Sequence, residues 1–198
     1  MLTVAIATEY DGYDAEIYRV LIERLLGRTV MRWQTKMRFN GDKSVRKLAA
    51  PYLAAAAAQN VKHALFAIDN DGGGKRRPEH KEDDDQKTEA ASKAGCRICW
   101  LGAAMPASWS AGGGKRCLVV PVQTIETWLL CIRGDAFTAP SPEHQYGAVL
   151  KKRFFKTALP VRERLRLALN EIQKPDALTI LRLRRSFQRF EAQLASWP

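Results

Sequence analysis

Four carboxylates stand where strands should end: Glu9 after the apolar run Leu2 to Ala7, Asp69 and Asp71 closing Ala64-Leu65-Phe66-Ala67-Ile68, and Glu126 just past Cys117 to Val122. In an open α/β sheet the carboxyl ends of the strands form the ligand crevice, so acids distributed in this way can converge on one divalent metal ion. The chemistry they suggest is metal-dependent attack on phosphodiesters.

The sharpest local signal is Asp69-Asn70-Asp71. Residues i and i+2 of an extended segment point to the same side, so two carboxylates at that spacing can share a hard cation. The glycines that follow allow backbone or substrate to approach closely. The competing reading is an ordinary Asp-rich turn, for which Asn-Asp-Gly is also good chemistry. Glu9 precedes Tyr10-Asp11-Gly12-Tyr13-Asp14, a turn in which Asp14 reads as the N-cap of the next helix. That assigns Asp14 to structure and leaves Glu9 pointing into the crevice. Glu126 falls in the first turn of a helical segment, where an acid also simply favours the helix dipole.

The elements that must position these acids read as strands alternating with helices. Thr3 to Thr8 is a strand, and from Asp14 a helical pattern runs through Ile17, Val20, Leu21, Leu25 and Leu26 to a C-cap at Gly27. Thr29 to Trp33 suits a short strand, and Ser44 to Gln59 an Ala-rich helix that Pro51 should kink or divide. Val61 to Ile68 is a second buried strand, followed by a polar loop from Asp69 to Lys87 and a helical stretch Thr88 to Lys93. Cys96 to Leu101 reads as a third strand, Met105 to Arg116 as a Gly-rich loop, and Cys117 to Val122 as a fourth strand. Thr124 to Ile132 is helical up to Gly134, and Thr138 to Gln145 carries Pro140 and Pro142 like a linker. Tyr146 to Ala158, Val161 to Gln173 and Pro175 to Trp197 each read as helices. The expected fold is therefore α/β with a mostly parallel sheet over residues 1–136, and a basic α-helical extension over 137–198 packed on it.

Charge indicates the partner. The chain of 198 residues carries a formal net charge of +11, which implies attraction to a polyanion, with nucleic acid foremost. From Ser141 to Pro198 there are twelve Lys and Arg against five Asp and Glu, so much of the excess lies away from the acids. Lys75, Arg76, Lys151, Lys152 and Arg153 are the candidate phosphate contacts, the alternative being a merely soluble basic surface. Glycine-lysine runs at Gly72 to Arg76 and Gly112 to Arg116 lack the Ser or Thr and the spacing of a Walker A loop, so ATP hydrolysis by this chain is not expected. Cys96 and Cys99 have ligand-like spacing, but four cysteines in apolar runs read more simply as buried reduced thiols than as a zinc site. His80, among Glu79, Lys81, Glu82 and Asp83 to Asp85, belongs to a charge run that is usually solvated. No apolar run approaches the roughly 18–20 residues of a membrane span, and Met1 to Val4 lacks the basic start of a signal peptide, so no membrane and a cytoplasmic location are expected.

Three motifs together resemble a known family. Thr8-Glu9-Tyr10-Asp11-Gly12-Tyr13-Asp14-Ala15-Glu16, Ile68-Asp69-Asn70-Asp71-Gly72 and Ile125-Glu126-Thr127-Trp128-Leu129-Leu130 are similar, in order and spacing, to the signatures of Toprim-like proteins, the small stand-alone ones related to OLD-family nucleases. The ending Ser186-Phe187-Gln188-Arg189-Phe190 resembles the close of those chains. The resemblance implies a Rossmann-like Toprim domain with Glu9, Asp69, Asp71 and Glu126 as catalytic residues. Asp69, Asp71 and Glu126 would hold Mg²⁺ or Mn²⁺. It implies a metal-dependent nuclease in prokaryotic defence against foreign DNA, often beside a separately encoded ATPase. Two motifs depart from the pattern: Tyr10 stands where Gly usually follows the first Glu, and Cys131 and Ile132 stand where an acid often follows Trp-Leu-Leu. The rival class is a non-catalytic subunit that binds an ion and nucleic acid while a partner cleaves. Neither oligomeric state nor the choice of DNA or RNA follows from the sequence.

Overall fold

A computed structural model describes residues 1–10, 12–69, 97–121, 124–135, 147–156 and 159–197. Among them are four strands, β1 (Leu2–Thr8), β2 (Val30–Arg32), β3 (His63–Ala67) and β4 (Lys115–Val119), hydrogen-bonded in the order β2-β1-β3-β4. Every pairing is parallel, with Thr8 opposite Ala67 and Ala67 opposite Val119. The fold is Rossmann-like α/β with further helices at the C-terminal end.

Strand periodicity divides the core into two. Leu2, Val4, Ile6, Leu65, Ala67, Cys117 and Val119 face one layer, whereas Ala5, Ala7, Ala64, Phe66, Ile68, Leu118 and Val120 face the other. Helix α1 (Asp14–Leu26) covers the first face, and α2 (Asp42–Ala58), α3 (Arg97–Gly102) and α4 (Ala107–Ala111) contribute to the second. Because the chain leaves β1 to one side and returns through β3 on the other, the topological switch falls between these two strands. That is where an open α/β sheet makes its crevice.

Gly27 closes α1 in the left-handed conformation expected of it, with φ of 61°. Helix α2 runs as one element through Pro51, not as two pieces. Lys47 and Pro51 are both exposed, so the carbonyl that loses its partner faces water. Of the strand expected from Cys96 to Leu101, the described part, from Arg97 on, is instead helix α3. A short apolar run is ambiguous between the two states. Here β3 and β4 pair directly and leave no place for a strand between them, while Ile98 and Leu101, three apart, pack toward the second core. The Gly-rich stretch before β4 contains α4, and the long terminal helix divides into α8 (Ala177–Leu181) and α9 (Arg185–Leu194) at an extended Arg184. The loop from 70, the helical stretch 88–93 and the linker 138–145 lie outside the described residues.

Helices α5 (Ile125–Arg133), α6 (Gly147–Phe155), α7 (Val161–Ile172), α8 and α9 close over the face that α1 also covers. Trp128 joins them. Its indole N–H donates to Ser186 Oγ at 3.1 Å, and its ring meets Phe187, Phe190 and Tyr18. The Trp-Leu-Leu and Ser-Phe-x-x-Phe segments, 58 residues apart, are thus two sides of one packing contact. Helix α9 also guards the sheet edge: the Gln193 side-chain amide donates to the Leu118 carbonyl and accepts from its N–H, both at 2.9 Å, standing in for a fifth strand. Arg24 of α1 donates to the Ile172 carbonyl at the end of α7.

Truncating Trp128 to Ala should cost about 3–5 kcal/mol, the range for a buried large aromatic. Ser186→Ala should cost about 1 kcal/mol through the lost hydrogen bond. Urea denaturation followed by far-UV circular dichroism measures both; equal midpoints for Trp128→Ala and the parent would show that the terminal helices do not depend on this contact.

Candidate active site

Glu9 lies just past β1 and Asp69 just past β3, on either side of the switch between these strands. The Asp69 backbone N–H donates to Glu9 Oε1 at 2.8 Å, which fixes the glutamate and ties the two strand ends together. Glu126, the second residue of α5, enters the same crevice, as does Asp14 at the start of α1. All four acids are buried, with exposures of 7% for Glu9, 6% for Asp14, 6% for Asp69 and 1% for Glu126.

Burial without enough positive charge sets the electrostatics. Asp14 has its carboxyl pushed up to about 8, first by desolvation and then by the charges of Glu126 and Glu9, with Lys151 acting against the shift. Asp69 is raised well above the usual carboxylate range by the same causes, desolvation foremost. Lys151, on α6, brings its ammonium to 3.8 Å from Asp69 Oδ2 and to 5.3 Å from the centroid of the Tyr10 ring. Burial opposes its charge, yet Asp69, Glu126 and Asp14 outweigh this and raise it above the usual lysine value. Arg97 of α3 donates to the Asp69 carbonyl at 3.1 Å, pairs with Asp42 at 2.9 Å, and stacks on Trp100, fixing the backbone at the end of β3 from the other side.

A cavity of about 470 Å³ opens beside these acids. Asp14, Glu126 and Lys151 line it together with Tyr10, Tyr13, Phe39 and Arg164. Three buried polar atoms on its walls have no hydrogen-bond partner among the described residues: Tyr13 Oη, Glu126 Oε2 and Arg164 Nε. Such atoms are costly to leave unsatisfied, and three on one cavity point to a ligand.

Of the residues singled out from the sequence, Glu9, Asp69, Glu126 and Lys151 come together. Asp71, Lys75 and Arg76 lie outside the described residues. Lys152 is exposed on α6, and Arg153 donates to Asp135 at 2.9 Å within an ion-paired group that includes Arg133. The reading of Asp14 as an N-cap is corrected: Tyr13 is the cap residue, Asp14 begins the helix, and its carboxyl belongs to the cavity wall. One signal was available, because Ile17 rather than Glu or Gln stands three residues on, so no capping box forms. Tyr13 and Arg164 carried no comparable signal. Arg164 is one of several arginines on α7 and is selected only by how that helix docks.

Among the described residues, no three His, Cys, Asp or Glu side chains are arranged to hold a metal ion. In kind, however, the donors suit a hard divalent cation: they are carboxylate oxygens, buried, with Glu126 Oε2 unpartnered and Asp14 and Asp69 driven toward the protonated form. No protein-family model matches the chain, and the searches found neither a curated protein nor a solved structure that matches it.

The raised carboxyl of Asp14 has a consequence for stability. Unfolded, Asp14 would release its proton near its ordinary value of 3.8, whereas in the fold it keeps the proton up to about 8. The folded state therefore binds more protons between those values, and Asp14's contribution declines as pH rises from about 4 to about 8. Asp14→Asn, which needs no proton, should exceed the parent in melting temperature by a margin that grows between pH 5 and pH 8 in chelator. Scanning calorimetry at several pH values measures this; a margin that shrinks with pH would contradict the assigned environment.

Proposed function

We propose that the protein is a metal-dependent nuclease of the Toprim type that hydrolyses phosphodiester bonds, acting in defence against foreign nucleic acid beside a separately encoded ATPase. The observation that carries this reading is the burial of Glu9, Asp14, Asp69 and Glu126 at the sheet's switch point with Lys151 as the cation beside them. A fold that gathers acids this way loses stability unless the charge is used, and cation binding is the use their chemistry fits.

Asp69 and Glu126 are the residues that would hold Mg²⁺ or Mn²⁺, joined by Asp71. When bound, the ion neutralises charge on the scissile phosphate and makes a water more acidic. The chain's own groups do the rest. Glu9, oriented by the Asp69 N–H, is placed to accept a proton from the attacking water. Asp14, on the same cavity wall, is the carboxyl available to hand a proton to the leaving oxygen. Lys151 offers its ammonium to a phosphate oxygen at the side of the crevice marked by Asp69.

A second reading has its own support. Lys151 already pairs with Asp69, and no three acids among the described residues are spaced to hold an ion. Both facts favour a subunit that binds nucleic acid while a partner cleaves.

A nuclease assay on single- and double-stranded DNA and on RNA with added Mg²⁺ or Mn²⁺ separates the two. The parent should yield product. Glu126→Gln should lose both ion affinity and at least about a hundredfold in rate, while Glu9→Gln should lose rate with ion affinity largely kept. A parent that binds nucleic acid yet gives no product, alone and with its ATPase present, would leave the binding subunit.

A further inference from the structure

The cavity beside the acids has features that metal chemistry does not require. Two of its walls are aromatic: Tyr10, 52% exposed, and Phe39, buried. Two are cationic: Lys151, already at the Tyr10 ring, and Arg164, whose guanidinium lies 5.8 Å from the centroid of Tyr13. Tyr13 is 5% exposed and its unpartnered hydroxyl is held in the protonated form by burial, so it remains a hydrogen-bond donor at any physiological pH. Three helices also begin at this cavity: α1 through Asp14, α5 through Glu126 and α7 through Val161 and Arg164. Their N-terminal dipoles favour an anion, as do both cations. Glu126 Oε2, unpartnered and 1% exposed, offers an acceptor on the same wall.

An aromatic surface, two cations, a fixed hydroxyl donor and a lone acceptor in about 470 Å³ fit one nucleotide. We propose that the cavity seats a single unpaired nucleotide of the substrate strand, its base on Tyr10 and its phosphate on Arg164 and Lys151. A paired base has its flanking stack and its partner strand in the way, so the pocket selects single strands or frayed ends over the interior of a duplex. The proposal rests on the nuclease reading for what the pocket serves, but occupancy of the pocket needs no cleavage.

The test is calorimetric titration of thymidine 5′-monophosphate, thymidine and inorganic phosphate into the full chain, with chelator and with Mg²⁺. The monophosphate should bind at least about tenfold more tightly than either fragment. Tyr10→Ala, at a half-exposed position that leaves the core intact, should weaken it about 5- to 100-fold, the size of one base–aromatic stack. Arg164→Met should weaken it by a similar factor through a lost charge-assisted hydrogen bond, Arg164→Lys by less, and Lys47→Met on the far-side helix α2 not at all. Monophosphate binding that shows this pattern without nuclease activity supports the pocket and sinks the nuclease reading alone. Cleavage of nucleic acid with no preference for monophosphate over inorganic phosphate in either condition, or with Tyr10→Ala and Arg164→Met binding as the parent does, overturns the pocket.

Discussion

Negative charge that the fold buries faster than it neutralises is the constraint around which this molecule is organised. Glu9, Asp14, Asp69 and Glu126 come from the ends of two strands and the starts of two helices, and all are shielded from water. Burial first, and then the charge of the neighbouring carboxylates, raises the carboxyls of Asp14 and Asp69, while Lys151 acts against the shift. Three structural features relieve that charge in part. Backbone N–H groups reach it, as Asp69 does at Glu9. The dipoles of α1 and α5 point their positive ends at it. Lys151 comes in from outside the sheet.

The third of these explains the C-terminal helices. The sheet with α1 and α5 makes the acidic crevice but supplies no lysine or arginine to its cavity wall; Lys151 comes from α6 and Arg164 from α7. Their position is set by packing on the helices that carry the acids: α6 lies against α5, and α7 lies against both α1 and α5. The Arg133, Asp135 and Arg153 group ties α5 to α6 on the same side, and Arg133 adds bonds to the Phe154 and Arg153 carbonyls. Hydrophobic and hydrogen-bonded contacts thus carry the cost of bringing cations to the site.

What the sequence showed and what it hid follow from the range of each interaction. The strand ends at Glu9 and Asp69 were readable because a buried parallel strand is a short apolar run closed by a polar residue, and that pattern is local. The Gly27 cap and the helix from Thr124 to Gly134 were readable for the same reason. Cys96 to Leu101 was not: six apolar-rich residues fit either state, and direct pairing of β3 with β4, a non-local fact, decides for the helix. Asp14 escapes a sequence reading because a cap and a first-turn acid differ by one residue of backbone geometry; Ile17 in place of Glu or Gln is the one local sign, and tertiary burial makes the difference plain. Lys151 was picked for its charge alone, whereas its neighbour Arg153, equally basic, is engaged with Asp135. Adjacent cations on a helix point in different directions, so composition finds the helix and packing chooses the residue.

An ammonium rather than a guanidinium stands beside Asp69. A lysine is a compact charge on a flexible stem, able to leave one carboxylate for another acceptor without breaking a planar, two-pronged pairing. At 3.8 Å from Asp69 Oδ2, Lys151 is a loose ion pair rather than a close hydrogen bond. It offsets part of the crevice's negative charge, and its loose pairing lets it turn toward a phosphate. Arg97, on the opposite side of the same strand end, shows the contrasting design: paired with Asp42, stacked on Trp100 and bonded to the Asp69 carbonyl, it holds backbone in place. The cation with several partners fixes where the acid stands, and the loosely paired one leaves open what the acid will meet.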